Sequence, residues 1–360
     1  MSVGYAIPPI YEARVKYPEQ QVPVEEYSSS ELYIIIGRVL NHFPEYPARL
    51  YKNALFRHVL VTGTTGSGKS HTASKIAERA SKELKILVFV VDWHGEYRNM
   101  LSQYTLIQPR ELPLQLFTGE PGDLSVLASI FELTPPQEYI LEKVLKQRDL
   151  GRVKSVEGLL DAIELIPDES SWFRESRLSL HRKLSVLSRD EYSDLFRVYD
   201  PASTPLSKLF LDADSSPYII DVSEISDLSV KRLYASLLIK RLVSYATRSS
   251  RQLLIVMEEA QNYLSRQNPV KPICEMLREI RKFSIGLVVV AQSISQLVED
   301  VAANTNTKII HSVKSKQDLE VVERTIYVDH VLLSVIPYLE VGEAVYSTIS
   351  LKKPVLVKIE

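Results

Sequence analysis

The chain has 360 residues, of which 45% are hydrophobic and 24% are charged, proportions typical of a globular protein with a substantial core. A formal net charge of −2 gives no overall attraction to nucleic acids, and no stretch approaches the ~20 apolar residues of a membrane span. The single cysteine, Cys274, excludes an internal disulfide framework and predicts a reducing, cytoplasmic location.

The N-terminal part of the chain, residues 1–52, is predicted to be an arm with a partial β region. Its first thirty residues are rich in proline, tyrosine and charge, with no clear period and no apolar segment that could serve as a signal peptide. Residues 32–40 have the composition of a strand, and we expect this strand to bend at Gly37.

A glycine-rich turn follows the apolar run at residues 59–61 and leads into a helical pattern. Gly63, Gly68, Lys69 and Ser70 match the phosphate-binding pattern G-x-x-x-x-G-K-[ST], the P-loop. Glycines let backbone N–H groups converge on phosphate oxygens, and the helix N-terminus adds positive potential. We therefore predict a nucleotide-binding site made of Gly63, Thr64, Thr65, Gly66, Ser67, Gly68, Lys69, Ser70 and His71.

In this P-loop, Lys69 is expected to reach the β- and γ-phosphates, and the Ser70 hydroxyl is expected to bind Mg²⁺. The strand before the turn and the helix after it support ATP binding over the alternative, a turn that contains lysine by chance.

The next apolar run, at residues 84–91, predicts a strand of a parallel sheet and ends in Asp92-Trp-His-Gly-Glu-Tyr97. Ligands of open α/β sheets lie beyond the carboxyl ends of the strands, so this acidic segment should lie beside the P-loop. We predict that Asp92 and Glu96 add negative charge near the metal, with His94 bridging. The alternative is that they are ordinary loop residues.

Residues 111–215 differ from the rest, because four segments with helical spacing follow one another with turn signals between them. We interpret them as a helical insertion. The flanking ranges 53–110 and 216–360 alternate strands and helices, which predicts an α/β fold: a P-loop NTPase (RecA-like) core with a mostly parallel sheet.

Five apolar residues, 253–257, are followed directly by Glu258 and Glu259, the second signature of nucleotide hydrolysis. We assign Glu258 to the metal, together with Ser70 and Asp92, and Glu259 to the general base that deprotonates the attacking water. The alternative is a strand end that carries two solvated carboxylates.

Gln292 ends the following strand, residues 285–291, and fits a polar sensor of the γ-phosphate or the attacking water. A solvated turn residue is the alternative. Arg278, Arg281 and Lys282 lie on the preceding helix. A cation in this position could act on the γ-phosphate bound by a neighbouring subunit, and Arg281 is the better candidate of the two arginines. The alternative is a solvated basic helix face.

Taken together, these motifs resemble the HerA/FtsK group of P-loop translocases, and the HerA branch most closely. The matching segments run through most of the chain: Ile36–Leu40, Arg57–Ser70, Asp92–Tyr97, Glu258–Asn262, Arg278–Phe283, Gly286–Gln292, Asn304–Thr307, Gly342–Ala344 and Pro354–Val355. Two positions depart from the family pattern: Gln261 stands where histidine is usual, and His311 stands where arginine is common.

The resemblance implies a homo-oligomeric, hexameric motor that uses ATP and Mg²⁺ at subunit interfaces to pull double-stranded DNA through a central channel. It also implies a helicase or translocase role in DNA-end processing, repair or transfer, Arg281 as the arginine finger, and a NurA-type nuclease as partner. The alternative function is a nucleotide-switched assembly or scaffold ATPase that controls a partner protein without moving DNA.

Overall fold

The computed structural model describes residues 31–42, 44–120, 122–147, 153–198, 205–212 and 216–360. The predicted arm of residues 1–30 lies outside these ranges. Within them the chain forms thirteen strands: β1 Tyr33–Val39, β2 Pro47–Tyr51, β3 Val59–Thr62, β4 Leu87–Asp92, β5 Thr105–Ile107, β6 Leu114–Gln115, β7 Phe196–Arg197, β8 Tyr218–Asp221, β9 Leu253–Met257, β10 Ile285–Ala291, β11 Thr307–Ile310, β12 Glu343–Ser347 and β13 Val355–Ile359.

Fourteen α-helices accompany these strands in the same ranges: α1 Lys52–Leu55, α2 Lys69–Leu84, α3 Tyr97–Met100, α4 Asp123–Phe131, α5 Pro135–Gln147, α6 Val156–Glu164, α7 Ser171–Leu184, α8 Pro205–Leu211, α9 Leu228–Ser249, α10 Gln261–Leu264, α11 Lys271–Glu279, α12 Glu299–Asn304, α13 Lys316–Ile326 and α14 His330–Val335. A 3₁₀ turn, Ile280–Phe283, follows α11. No helix in the described part of the chain is both long enough and apolar enough to cross a bilayer.

Eleven strands form one mixed sheet, in the order β2-β1-β13-β12-β11-β3-β10-β9-β4-β8-β5. The strands from β11 to β5 run parallel to one another. Because they are parallel, the carboxyl ends of β3, β4, β9 and β10 meet at one edge, where ligands of such sheets bind. The sheet confirms the predicted α/β fold, and it brings the predicted site segments to the same edge.

The other side of the sheet is antiparallel and contains β12, β13, β1 and β2. The bend expected at Gly37 is a β-bulge, since the register between β1 and β2 shifts between Ile35 and Gly37. A Cβ atom on Gly37 would lie 1.9 Å from the Lys358 carbonyl oxygen of β13, so β1 can pair there only with a glycine. Residues 33–51 are therefore part of the central sheet, and the proposed three-part division of the chain stays a prediction.

Successive residues of each central strand point to opposite faces of the sheet. In β3, Val59 and Val61 join the core on the α2 side, where the stripe beginning with Ala73 and Ile76 packs. Leu60 joins the core on the opposite side, which α9 covers. Both faces of the parallel strands are thus buried, as their nearly continuous apolar sequences require.

The predicted helical insertion contains α4 to α8 and a short sheet of β6 and β7, and its apolar side chains are continuous with the core on the α9 side. An ionic cluster joins α4 to α9: the Asp123 carboxylate accepts hydrogen bonds from Lys240 at 2.6 Å and Arg241 at 2.7 Å. All three side chains are buried. Burial alone would raise the pKa of Asp123, but hydrogen bonds and charge from Arg241 and Lys240 lower it.

Candidate active site

The P-loop connects the end of β3 to the first turn of α2, a helix of 16 residues. Gly66 and Gly68 have φ angles of 78° and 107°, in the left-handed region that favours glycine. A Cβ atom on Gly68 would lie 3.1 Å from the backbone nitrogen of Gly342. The Thr64 N–H donates to the Ser312 carbonyl at 2.8 Å. The turn is therefore held in a fixed shape at the N-terminus of α2, as phosphate binding requires.

A cavity of about 630 Å³ opens above this loop, on the side of β10, β9 and β4. It brings together most of the predicted site residues, with Met100, Val290 and Ala291 as further lining residues. The predicted residues that line it are Thr65, Gly66, Gly68, Lys69, Ser70, His71, His94, Glu96, Glu258, Glu259 and Gln292. The buried Ser67 does not line it, and its hydroxyl donates to the Thr64 carbonyl at 2.7 Å, which braces the turn from behind.

Lys69 is buried to 8% exposure, and its ammonium donates to the Thr64 carbonyl at 2.9 Å. Burial lowers the pKa of Lys69, and the facing carboxylates of Glu259, Glu96 and Glu258 oppose that shift. Lys69 therefore connects the helical end of the P-loop to its beginning, and its ammonium faces the three glutamates across the cavity.

Glu258 follows β9 directly and is buried between the P-loop and the segment after β4. Its Oε1 accepts from the Ser70 hydroxyl at 3.4 Å, and its Oε2 accepts from the backbone N–H groups of Trp93 at 2.9 Å and His94 at 3.4 Å. Burial raises the pKa of Glu258 to about 9, and the neighbouring Asp92 carboxylate adds to the shift. The Glu258 carboxyl and the Ser70 hydroxyl thus face each other, and both offer oxygen atoms that could bind a hard metal ion.

Asp92 is fully buried, and both of its carboxylate oxygens are occupied by the backbone. Oδ1 accepts from the N–H groups of Gly95 and Glu96 at 2.8 and 3.1 Å, and Oδ2 accepts from Tyr97 at 3.0 Å. Burial raises the pKa of Asp92. The side chain therefore shapes the turn that carries His94. Direct metal ligation by Asp92 stays a prediction, and this geometry does not favour it.

Glu259 has a left-handed backbone, with φ of 47°, which is uncommon for a residue with a side chain. Its carboxylate is held from several sides: Oε1 accepts from Gln292 Nε2 at 2.8 Å and lies 3.4 Å from His94 Nε2, while Oε2 accepts from Gln261. Gln292 Oε1 in turn lies 3.5 Å from the Thr65 hydroxyl. The structure thus connects the predicted base, the predicted sensor and the P-loop, and Gln261 helps to position the base.

Mg²⁺ fits this donor set. Among the described residues no three His, Cys, Asp or Glu side chains are grouped to hold a metal by themselves. Mg²⁺ in phosphate sites usually retains waters and takes phosphate oxygens, with only one or two protein ligands. The Ser70 hydroxyl and the Glu258 carboxylate, 3.4 Å apart beside the P-loop, would serve as those ligands or as acceptors for bound waters.

Arg281 lies far from this cavity within its own chain. It belongs to the 3₁₀ turn before β10, whereas Gln292 follows the last residue of that strand, and seven strand residues span about 23 Å. Arg281 lines a second cavity of about 670 Å³ together with Lys282 and Arg57. Arg278 points elsewhere and pairs with Asp300. If Arg281 meets a γ-phosphate, that phosphate must belong to another subunit.

Arg57 is a candidate functional residue that the sequence analysis did not single out. In the described part of the chain neither Arg57 nor Arg281 makes an ion pair, and both side chains are exposed. Two signals were present in the sequence: Arg57 begins the family-like segment Arg57–Ser70, and it lies shortly before β3, at the edge opposite the P-loop.

His311 follows β11 and is fully buried against the P-loop helix. Its Nε2 is 2.8 Å from the Thr72 hydroxyl, and its Nδ1 is 2.9 Å from the Glu343 carbonyl oxygen. Burial lowers the pKa of His311 to about 4, so the imidazole is neutral at neutral pH. His311 therefore packs against the P-loop helix as a neutral side chain, and it cannot provide a positive charge at a subunit interface.

Comparison with known proteins gives a consistent result. The sequence model of a family described as "Helicase HerA, central domain" matches residues 34–242. The chain is 26% identical over 380 residues to "DNA double-strand break repair helicase HerA" of Sulfolobus acidocaldarius, covering 95% of this chain and 74% of that protein. It is 27% identical over 376 residues to the protein of the same name from Saccharolobus solfataricus, covering 98% and 73%.

Two solved structures share the fold. VirB4 of Thermoanaerobacter pseudethanolicus superposes with a TM-score of 0.71 at 18% identity, covering 93% of this chain and 97% of that chain. The plasmid coupling protein TrwB in complex with ADP and Mg²⁺ superposes with a TM-score of 0.63 at 17% identity, covering 87% of each chain. At these identities the likeness shows the fold alone.

Proposed function

Because the chain belongs to the HerA helicase family, whose central-domain model matches more than half of it, we propose that it is an ATP-driven motor that translocates along or unwinds double-stranded DNA. The observation that carries the proposal is the convergence of Lys69, Ser70, Glu258, Glu259 and Gln292 on one cavity at the carboxyl edge of the sheet. The names of the HerA relatives support a role in double-strand break repair.

In the proposed hydrolysis, Glu259 accepts a proton from the water whose oxygen attacks the γ-phosphorus, and the bond to the β-phosphate oxygen breaks to leave ADP and phosphate. Gln292, which already donates to Glu259, orients that water. Lys69 stabilises charge on the phosphates. Bound Mg²⁺ would neutralise charge on the phosphate oxygens, held on the protein side by Ser70 and Glu258.

We further propose that the site is completed by a second copy of the chain in a ring, with six subunits as the family resemblance implies. The support is that Arg57 and Arg281 are exposed at the edge of the sheet opposite the P-loop, where they cannot reach their own nucleotide. An interface that repeats head to tail closes a ring when its rotation allows it. A NurA-type nuclease as partner rests on the family resemblance alone.

The first test is the ATPase rate with and without linear duplex DNA, for wild type and Lys69→Ala. We expect DNA to raise the wild-type rate several-fold and Lys69→Ala to abolish hydrolysis, because the phosphates lose their cation. Slow turnover that duplex DNA leaves unchanged at low salt would favour the alternative, a nucleotide-switched scaffold.

The second test concerns the subunit interface and mixes two inactive variants. Arg281→Ala keeps the base but lacks the finger, and Glu259→Gln keeps the finger but lacks the base. A complete site needs the base from an Arg281→Ala subunit and the arginine from a neighbouring Glu259→Gln subunit. Random assembly at equal amounts gives this combination at about a quarter of the interfaces, so activity should return on mixing. If the mixture stays as inactive as its components, Arg281 does not act across an interface. Arg278→Ala, whose guanidinium is already paired with Asp300, is the matched control and should retain activity.

A further inference from the structure

A third cavity of about 600 Å³ lies between α12, β11 and α13, and it shares no lining residue with the P-loop cavity. It is lined by Thr305 and Asn306 of the Asn304–Thr307 segment, which the proposed hydrolysis does not use. Its lining combines apolar side chains, among them Leu297, Val298 and Val321, with charged and polar groups. A concave cavity of this size in which polar groups converge beside apolar walls has the form of a small-molecule site.

Lys308 of β11 is the unusual group in this cavity. Only 7% of it is exposed, and its ammonium donates to the Thr305 carbonyl at 2.5 Å. Among the residues that the structure describes, no carboxylate forms an ion pair with it. Burial lowers the pKa of Lys308 to about 8. Since an ammonium has three donor hydrogens, two remain available for a ligand in the cavity.

Two arginines add to the positive charge. Arg324 lines the cavity from α13, is exposed, and has no ion-pair partner among the described residues. Arg266 donates to the Leu297 carbonyl at 2.9 Å and lies 3.6 Å from Glu299, the lining carboxylate, whose side chain is 89% exposed. The cavity is therefore lined by three cations and only one carboxylate, which is solvated, and apolar side chains form part of its wall.

From this arrangement we propose that the cavity binds a small organic anion, a phosphate or carboxylate carried on an apolar body, with Lys308 and Arg324 on the anionic group. Duplex DNA is too wide to enter the cavity, so its phosphates cannot reach the buried Lys308. The apolar walls would be left uncovered by a free inorganic ion. The site is separate from the nucleotide cavity and does not depend on the proposed motor function.

The direct test is calorimetric titration with 1-naphthyl phosphate in the presence of saturating ADP and Mg²⁺, which occupies the P-loop. We expect saturable binding by wild type, at least tenfold weaker binding by Arg324→Ala and Lys308→Met, and no detectable binding of 1-naphthol. Arg324 is exposed, so its variant tests the site even if Lys308→Met folds poorly. Binding that is absent in wild type, or equal in wild type and Arg324→Ala, would overturn the proposal.

A chemical test reports on Lys308 itself. The aldehyde of pyridoxal 5′-phosphate condenses with a neutral amine to an imine with loss of water, and added borohydride reduces the imine to a stable secondary amine that peptide mass mapping locates. With ADP and Mg²⁺ present, Lys308 should be modified at least tenfold faster than the exposed Lys85 and Lys353, because burial lowers the pKa of Lys308 to about 8 and Arg324 can hold the phosphate while the neutral amine reacts with the aldehyde.

Pyridoxal without the phosphate should modify Lys308 at least tenfold more slowly, and 1-naphthyl phosphate should protect it. Modification no faster than that of Lys85, or equal rates with and without the phosphate, would contradict the assignment. Protection by duplex DNA but not by 1-naphthyl phosphate would also overturn it, because the cavity would then belong to a DNA path.

Discussion

Replacing His311 by arginine tests whether the space between the P-loop helix and β12, which the imidazole fills, is closed to water and uncharged. The imidazole is fully buried and bonded to the Thr72 hydroxyl and the Glu343 carbonyl. A pKa lowered from 6.5 to about 4 means that placing one proton on this ring costs about 3 kcal/mol more in the folded protein than in water. A guanidinium cannot lose its charge, and it is larger than the imidazole. We therefore expect His311→Arg to lose about 3 kcal/mol or more of unfolding free energy.

The assay is urea denaturation at pH 7.5, followed by circular dichroism, for wild type, His311→Arg and the uncharged control His311→Gln. The glutamine amide can still donate to Glu343 and accept from Thr72, so the control should lose much less. Total stabilities of 5–15 kcal/mol make a 3 kcal/mol loss easy to measure. If His311→Arg is within about 1 kcal/mol of wild type, the region is open to water or to a carboxylate, and the reasoning is wrong.

The same histidine gives a pH dependence with a defined sign. Between pH 6.5 and 4 the unfolded chain binds a proton at position 311 that the folded chain does not, so stability falls as the pH falls. His58, also buried and with a pKa lowered to about 4, contributes in the same direction. His311→Gln should therefore lose less stability than wild type on going from pH 7 to 4.5, and equal losses would contradict the burial of a neutral imidazole.

Three further variants probe the fold and the site. Asp123→Ala leaves Lys240 and Arg241 buried with only the more distant Glu120 carboxylate, 3.5 and 3.4 Å away, and should cost about 2 kcal/mol or more, seen as a lower melting temperature; an unchanged melting temperature would mean that the cluster is solvated. Gly37→Ala places a methyl group against β13 and should speed amide exchange throughout β1, whereas unchanged exchange would show that the bulge can relax. Gln292→Ala should lower kcat on the order of 10²-fold with little change in nucleotide affinity, and a normal kcat would remove Gln292 from the reaction.

Sequence alone predicted the parts of the site that local patterns determine. The P-loop is a contiguous motif, and Glu258, Glu259 and Gln292 directly follow apolar strands whose carboxyl ends must meet at one edge of a parallel sheet. The predicted strands at 253–257 and 285–291 coincide with β9 and β10 for the same reason. Local periodicity is sufficient for such segments.

The rest depends on contacts between residues far apart in the chain. No local pattern shows that β1 pairs with β13, or that backbone N–H groups of Trp93 and His94 hold Glu258. The role of Asp92 illustrates the limit: an acid after a strand suggests a metal ligand, but its oxygens are used by the next turn. The short strand β5 was not predicted either, because its three residues carry too little periodicity.

The central claim, that ATP hydrolysis at this site moves the protein along DNA, is tested most directly by displacement of a triplex-forming oligonucleotide from linear duplex DNA. We predict ATP-dependent displacement by wild type and none by Glu259→Gln, a variant that should still bind nucleotide because it keeps the whole P-loop. Hydrolysis by wild type that leaves the third strand in place, at a rate that duplex DNA does not change, would contradict the motor and support a nucleotide switch.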